Sequence, residues 1–131
     1  MACLALLLVA AACSPSKKTI VFTSDRDGNL QVYSVEPDGD NETNLTDSTE
    51  EEFSPIVSPS RKLIAFQSGT GQSMSIEVMR TDGTERTPVS KIKGRHQSHR
   101  WSPGSDLIVF VVEEGGEPVA YVASADGSEL V

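Results

Sequence analysis

Apolar residues in this chain fall in short bursts and not at helical spacing. Leu63-Ile64-Ala65-Phe66 and Leu107-Ile108-Val109-Phe110-Val111-Val112 are continuous apolar runs bounded by turn formers. Runs of this length, rich in β-branched residues, predict strands buried on both faces and are too short for a three-turn helix. Ser-Pro precedes each run, at 58–59 and 102–103, and stops strand pairing because proline has no amide hydrogen to give. A polar turn follows each burst: Asp25-Arg26-Asp27-Gly28-Asn29, Gly69-Thr70-Gly71-Gln72, or Glu113-Glu114-Gly115-Gly116. Gly and Asn tolerate positive φ, so these are hairpin turns. A second strand is predicted over 30–35, 74–79 and 118–123. The Asp-Gly pairs at 38–39, 82–83 and 126–127 predict another tight hairpin, leading to a short outer strand at Leu45-Thr46 and at 86–90.

These landmarks share one spacing. WSPGSDLIVF at 101–110 follows VSPSRKLIAF at 57–66 by 44 residues, and Ile64-Ala65-Phe66 follows Ile20-Val21-Phe22 by the same 44. The three Asp-Gly pairs keep that offset without insertion. Tandem periods of this size mean solenoids, propellers or arrays. Four short antiparallel strands per unit is the content of one propeller blade. Such a sheet cannot bury its faces alone, so the repeated words are contacts between blades and not active sites. The predicted fold class is all-β: an incomplete β-propeller of about 2.7 repeats of 44 residues, in segments of about 19–52, 53–94 and 95–131. The frame opens on the second strand of one blade, completes a blade from about 53 to 90, and puts the next outer strand near position 133. Propellers close with about four to eight blades. The sequence therefore reads as the first portion of a larger propeller, a truncated product, or a protomer that must associate.

The first twelve residues, MACLALLLVAAA, stand outside this frame. They carry no charge and are too short to span a bilayer, which takes about 20 apolar residues. A short apolar core ending in small residues is the pattern of an export signal. AAAC at 10–13 resembles a bacterial lipoprotein box, whose Cys13 would be lipidated; an ordinary signal peptidase could cut the same bond. Residues 13–18 then read as lipidated cysteine and polar tether, leaving 19–131 as the folded domain. The other cysteine, Cys3, lies inside the presumed signal, which excludes a disulfide framework or a thiolate metal site in the mature domain.

A net charge of -8 argues against a nucleic-acid groove, which needs clustered Lys and Arg, and against adsorption to anionic lipid. Asp25 to Asn29 and Asp38 to Glu42 look like the start of calcium loops; counting from Asp25 puts Glu36 at the closing position, but Gly28 then falls two places early for the required turn, and from Asp38 no glutamate stands there, so both read as turns. His96 and His99 have an H-x-x-H spacing; on a regular strand they would face opposite sides of the sheet, so they read as surface or channel-lining histidines. No G-x-S-x-G elbow or phosphate loop occurs, and no cofactor is expected. Asn41-Glu42-Thr43 and Asn44-Leu45-Thr46 match the glycosylation triplet and read as turn composition. In the repeat frame Arg95-His96 takes the place of Glu51-Glu52, at the start of the innermost strand. Glu50, Glu51 and Glu52 of one blade would then face Lys91, Lys93, Arg95 and Arg100 of its neighbour, either as inter-blade ion pairs or as a charged rim for a protein partner. Glu51, Glu52, Arg95, His96 and Arg100 are the candidate rim.

SDRDGNLQVYSVEPDG, followed by NLT and then SPIVSPSRKLIAF, resembles the repeat of TolB-type β-propellers, over nearly all of 19–131. Val57 stands where that family has Trp, Ser60-Arg61 and Gly104-Ser105 where it has Asp-Gly, and His99 where it has Pro. The resemblance implies a non-catalytic binding or scaffolding module, engaging protein partners in the bacterial periplasm from a lipid anchor in the outer membrane. Self-association or further blades would close its ring. Similar repeats also form the propeller of prolyl-oligopeptidase-like serine peptidases, whose catalytic domain is absent from this chain; that is the alternative.

Overall fold

The computed structural model describes residues 18–90 and 92–130. The presumed leader, Cys13, most of the tether and Lys91 lie outside the described residues. Three antiparallel sheets follow one another along the chain. The first contains β1 (Ile20–Ser24), β2 (Gln31–Val35) and β3 (Thr43–Asn44). The second is a full four-stranded blade, β4 (Glu52–Val57), β5 (Leu63–Ser68), β6 (Ser75–Arg80) and β7 (Thr87–Pro88), paired in that order. The third contains β8 (Arg95–Trp101), β9 (Leu107–Glu114) and β10 (Glu117–Ser124), with an isolated bridge from Ala123 to Leu130 beyond it. The predicted blade content is therefore present: one complete blade between two partial ones.

Register repeats with the sequence. Phe22 opposes Tyr33, Phe66 opposes Glu77, and Phe110 opposes Tyr121. Ser58-Pro59 and Ser102-Pro103 each follow a strand end as expected, and the serine also closes the next turn. The Leu63 amide donates to Ser58 Oγ at 3.1 Å, and the Leu107 amide to Ser102 Oγ at 3.0 Å. Within these turns Arg61 and Ser105 adopt φ of 60° and 65°. Both therefore occupy left-handed backbone that suits glycine better.

Two seams hold the sheets together. Between the first and second, Val32 packs with Ile64, Phe66 and Met79, joined by Val21 and Leu45. Between the second and third, Ala65, Ile76, Val78 and Val89 meet Ile108, Phe110, Val112 and Ala123. Odd-numbered residues of β5 thus face the following blade and even-numbered ones the preceding blade. The Asp-Gly turns add backbone contact. A side chain at Gly83 would lie 2.8 Å from the Leu45 carbonyl oxygen, and one at Gly127 would lie 2.9 Å from that of Pro88, each on the blade before.

Four expectations need correction. The first outer strand is Thr43–Asn44, two residues ahead of the expected Leu45-Thr46, because Thr46 Oγ1 and not a backbone group takes the Val32 amide, at 3.0 Å; the second, Thr87–Pro88, falls inside the expected 86–90. The β5–β6 connection contains a 3-10 turn, Gly71–Ser73, and is not a tight hairpin. β5 is buried on both faces, but β9 alternates: Ile108, Phe110 and Val112 are buried while Leu107 and Val109 are 40% and 42% exposed, since no described sheet covers that side. The two histidines, finally, do not straddle their sheet. A register shift between His96 and Ser98 lets His96 oppose Val112 and His99 oppose Phe110, so both rings share one face.

Candidate functional site: the mouth of the seam between the second and third blades

β4 and β8 are the edge strands of their sheets, and β8 packs on β5 and β6. Where these edges begin, Phe53, Ser54 and Gln67 of the second blade and Arg95, His96 and Gln97 of the third line a depression of about 500 Å³. Ser54, with φ of 55°, sits at the β4 irregularity between Phe53 and Ile56. Ser54, Arg95 and Gln97 are exposed. A second cleft of about 620 Å³ lies at the opposite end, between the first two blades, with Val21, Val57, Arg61 and Asp82 on its walls.

Beneath the mouth the seam is polar as well as apolar. His96 is 3% exposed; its ring stacks on Phe110 with centroids 5.6 Å apart. Its Nδ1 lies 3.1 Å from the Gly94 carbonyl oxygen and its Nε2 lies 2.5 Å from Ser90 Oγ. Burial holds this imidazole below its ordinary pKa, with the Gly94 hydrogen bond acting weakly in the other direction. A neutral ring must then carry its proton on Nδ1 to serve Gly94, so Nε2 accepts from the Ser90 hydroxyl. Ser90 is itself buried, 4% exposed. This Ser–His contact is a structural bond inside the seam. His99, 2% exposed, donates from Nε2 to the Ala65 carbonyl at 3.3 Å, and burial lowers its pKa too, with smaller opposing and reinforcing contributions. Trp101 Nε1 donates to the Ile56 carbonyl at 2.8 Å, directly tying β8 to β4.

The candidate rim residues have divergent positions. Arg95 and Arg100 are exposed; the Arg100 guanidinium donates to the His99 carbonyl at 2.7 Å. Glu51 is half-buried and accepts the Leu30 amide at 2.9 Å. Glu52 is fully buried, 0% exposed. Its Oε1 takes hydrogen bonds from Arg86 at 2.6 Å and Ser48 Oγ at 2.9 Å, while Oε2 has no partner among the described residues. Arg86 also pairs with Glu77 and lies 5.2 Å from the Phe66 ring centroid. The described ion pair of Glu52 is therefore with Arg86 of its own blade, and not with the basic residues of the next.

Arg86, Ser48, Ser90 and Trp101 hold these side chains; Trp101 stood within a repeated word, and Arg86 and Ser90 within the expected outer strand, but with no role assigned. One signal was present in the sequence. His96 lies 44 residues after Glu52, and both prove to be buried polar groups at the start of an edge strand. Position was legible from the frame; the partners were not, because Arg86 and Ser90 come from elsewhere in the fold. Among the described residues, no group of three His, Cys, Asp or Glu side chains is placed to hold a metal ion.

The described strands superpose on solved structures. The Agrobacterium tumefaciens chain described as a TolB aligns with a TM-score of 0.73 at 26% identity, covering 87% of this chain and 44% of that one. TolB from Acinetobacter baumannii gives 0.70 at 18% identity, covering 86% and 29%. A chain of the nidogen/laminin complex gives 0.67 at 14% identity, covering 88% and 43%, a likeness of fold alone. This chain thus spans less than half the length of each. No curated protein sequence matches it. The family model of the TolB beta propeller domain matches residues 9–131, and with the 44-residue frame, the blade order and the seams in agreement, the chain belongs to the TolB β-propeller domain family.

Proposed function

We propose that this chain is a non-catalytic binding module of the cell envelope, docking a protein partner at the mouth between its second and third blades. The observation that carries this reading is the exposed Arg95 beside Gln97 and Ser54, at the lip of a depression whose floor is a packed seam. Binding residues act best when loops and strand ends are held by such a rigid scaffold. Arginine is favoured at interfaces because its planar fork binds carboxylates in bidentate fashion. On a chain of net charge -8, the exposed Arg95 at this mouth offers a cationic group for an acidic segment of the partner. His96 serves this site from beneath, by holding the seam between the second and third blades, whereas Glu52, bonded to Ser48, holds the seam to the first. The likeness to TolB chains supports an exported, periplasmic setting, and AAAC supports lipidation of Cys13 with 1–12 removed and 13–18 as tether; mass spectrometry of the mature N-terminus tests that part.

A photoreactive residue in place of Gln97 tests the docking site. It should give an adduct with an envelope protein that the second change Arg95→Glu abolishes, while the same probe at Asp82, on the opposite end, should give none. Equal adducts from both positions, or an adduct indifferent to Arg95→Glu, would remove the mouth as the docking site.

A further inference from the structure

The two seams differ at one end. Between the second and third blades, Trp101 packs beside Leu63 against the buried cluster and bonds to the Ile56 carbonyl at 2.8 Å. Ser105 closes the same end, its Oγ accepting the Ser60 amide at 2.9 Å. One repeat earlier, between the first and second blades, Val57 stands in the place of Trp101 and Arg61 in the place of Ser105. The backbone there is unchanged. Arg61 and Ser105 have φ of 60° and 65°, and the Thr81 amide meets the Lys62 carbonyl as the Ala125 amide meets that of Asp106. The difference is one of side chains. A valine in place of an indole leaves the apolar end of the seam unfilled, and Arg61 is exposed where Ser105 is half-buried. The cleft of about 620 Å³ lies here, with Val21 and Val57 as its apolar wall. Val57 and Arg61 belong to the complete central blade, so the hollow follows from two residue choices and owes nothing to either end of the chain.

We propose that this cleft binds a small aromatic carboxylate, with its ring between Val21 and Val57 and its carboxylate on Arg61 and Lys18. A planar ring suits the hollow because the same place one blade on holds an indole. Lys18 and Arg61 both line the cleft, and among the described residues neither side chain has an ion-pair partner. The arginine fork meets a carboxylate in bidentate fashion, and the lysine adds a point charge. The other charged group on the walls is Asp82, whose Oδ1 already accepts the Thr84 amide at 3.0 Å and its hydroxyl at 2.6 Å. Two cations thus face one carboxylate, a balance that favours an anion. The cleft volume falls within the range of about 300–1,000 Å³ usual for small-ligand sites. This site lies at the end opposite the mouth and is independent of the partner-docking reading.

Titration of N-acetyltryptophan into the full chain, followed by the methyl NMR signals of Val21 and Val57, tests it. The acid should give saturable shifts, and its neutral amide should bind about tenfold more weakly for want of a charge-assisted hydrogen bond. Arg61→Ser, which puts there the residue of the next blade, should lower the affinity for the acid to that of the amide. Val57→Trp should abolish binding of both and raise the melting temperature, because the indole then fills the hollow as Trp101 fills its own. Absence of saturable shifts, equal affinity for acid and amide, or binding that survives Val57→Trp would overturn the proposal. So would a Val57→Trp chain that melts lower than the unaltered one, which would mean that the chain's own residues already fill the hollow.

Discussion

Replacing Arg86 by Ala isolates the buried carboxylate of Glu52. In the folded chain that carboxylate has no solvent exposure, and among the described residues its one cationic partner is Arg86 at 2.6 Å; the Ser48 and Ser68 hydroxyls lie 2.9 and 3.4 Å from the same oxygen. Removing the guanidinium leaves a buried charge held by two hydroxyls. Breaking a buried pair in this one-sided way costs about 3–5 kcal/mol. Domain stabilities run about 5–15 kcal/mol, so the variant should be folded but marginal. The assay is urea unfolding followed by the emission of Trp101, the single tryptophan. With a urea dependence of about 1.5 kcal/mol per M, a loss of 3 kcal/mol moves the midpoint by about 2 M. Two comparisons make the result specific. Arg26→Ala removes the exposed pair with Glu42, which has 43% and 41% side-chain exposure, and should cost under about 1 kcal/mol. The double change Glu52→Leu with Arg86→Met removes both charges and should recover most of the loss. If Arg86→Ala matched Arg26→Ala, or the double variant were worse than the single, the reasoning about a stranded carboxylate would be wrong.

Acid should weaken the seam between the second and third blades. His96 and His99 have pKa values lowered by burial, so below about 6.5 the unfolded chain binds protons that the folded chain refuses. Stability therefore falls as pH drops from 7 towards 5, and His99→Gln should flatten that melting profile; an unchanged profile would count against a buried neutral ring. Phe110→Ala empties a site that is 1% exposed and flanked by His96 and Tyr121, and should cost about 3–5 kcal/mol in the same urea titration. Trp101→Phe removes the bond to the Ile56 carbonyl and should lower the melting midpoint by the equivalent of about 1 kcal/mol. Arg61→Gly should raise stability by about 0.5–1 kcal/mol, because φ of 60° costs an arginine what it spares a glycine. A destabilised Arg61→Gly would mean that the arginine side chain outweighs its backbone strain.

The sequence alone determined the repeat, the all-β class, the strand order within each blade, and the strand ends at Ser-Pro. These follow from local causes: a proline without a donor, glycines that accept positive φ, and apolar runs too short for a helix. Even the identity of the inter-blade words was legible, since Ile64-Ala65-Phe66 and Trp101 do meet neighbouring sheets. Tertiary structure decided what each polar position at the seams does. A one-residue bulge in β8, not readable from composition, turned His96 and His99 to the same side. The partner of Glu52 proved to be Arg86, 34 residues away on its own blade, and not a cation of the next. Whether an apolar strand is covered on one face or both also depends on which sheet lies beside it, as β5 and β9 show from nearly identical words. Hydrogen bonding along a strand is a local property, whereas the partner of a side chain across a seam is fixed only when separate sheets dock.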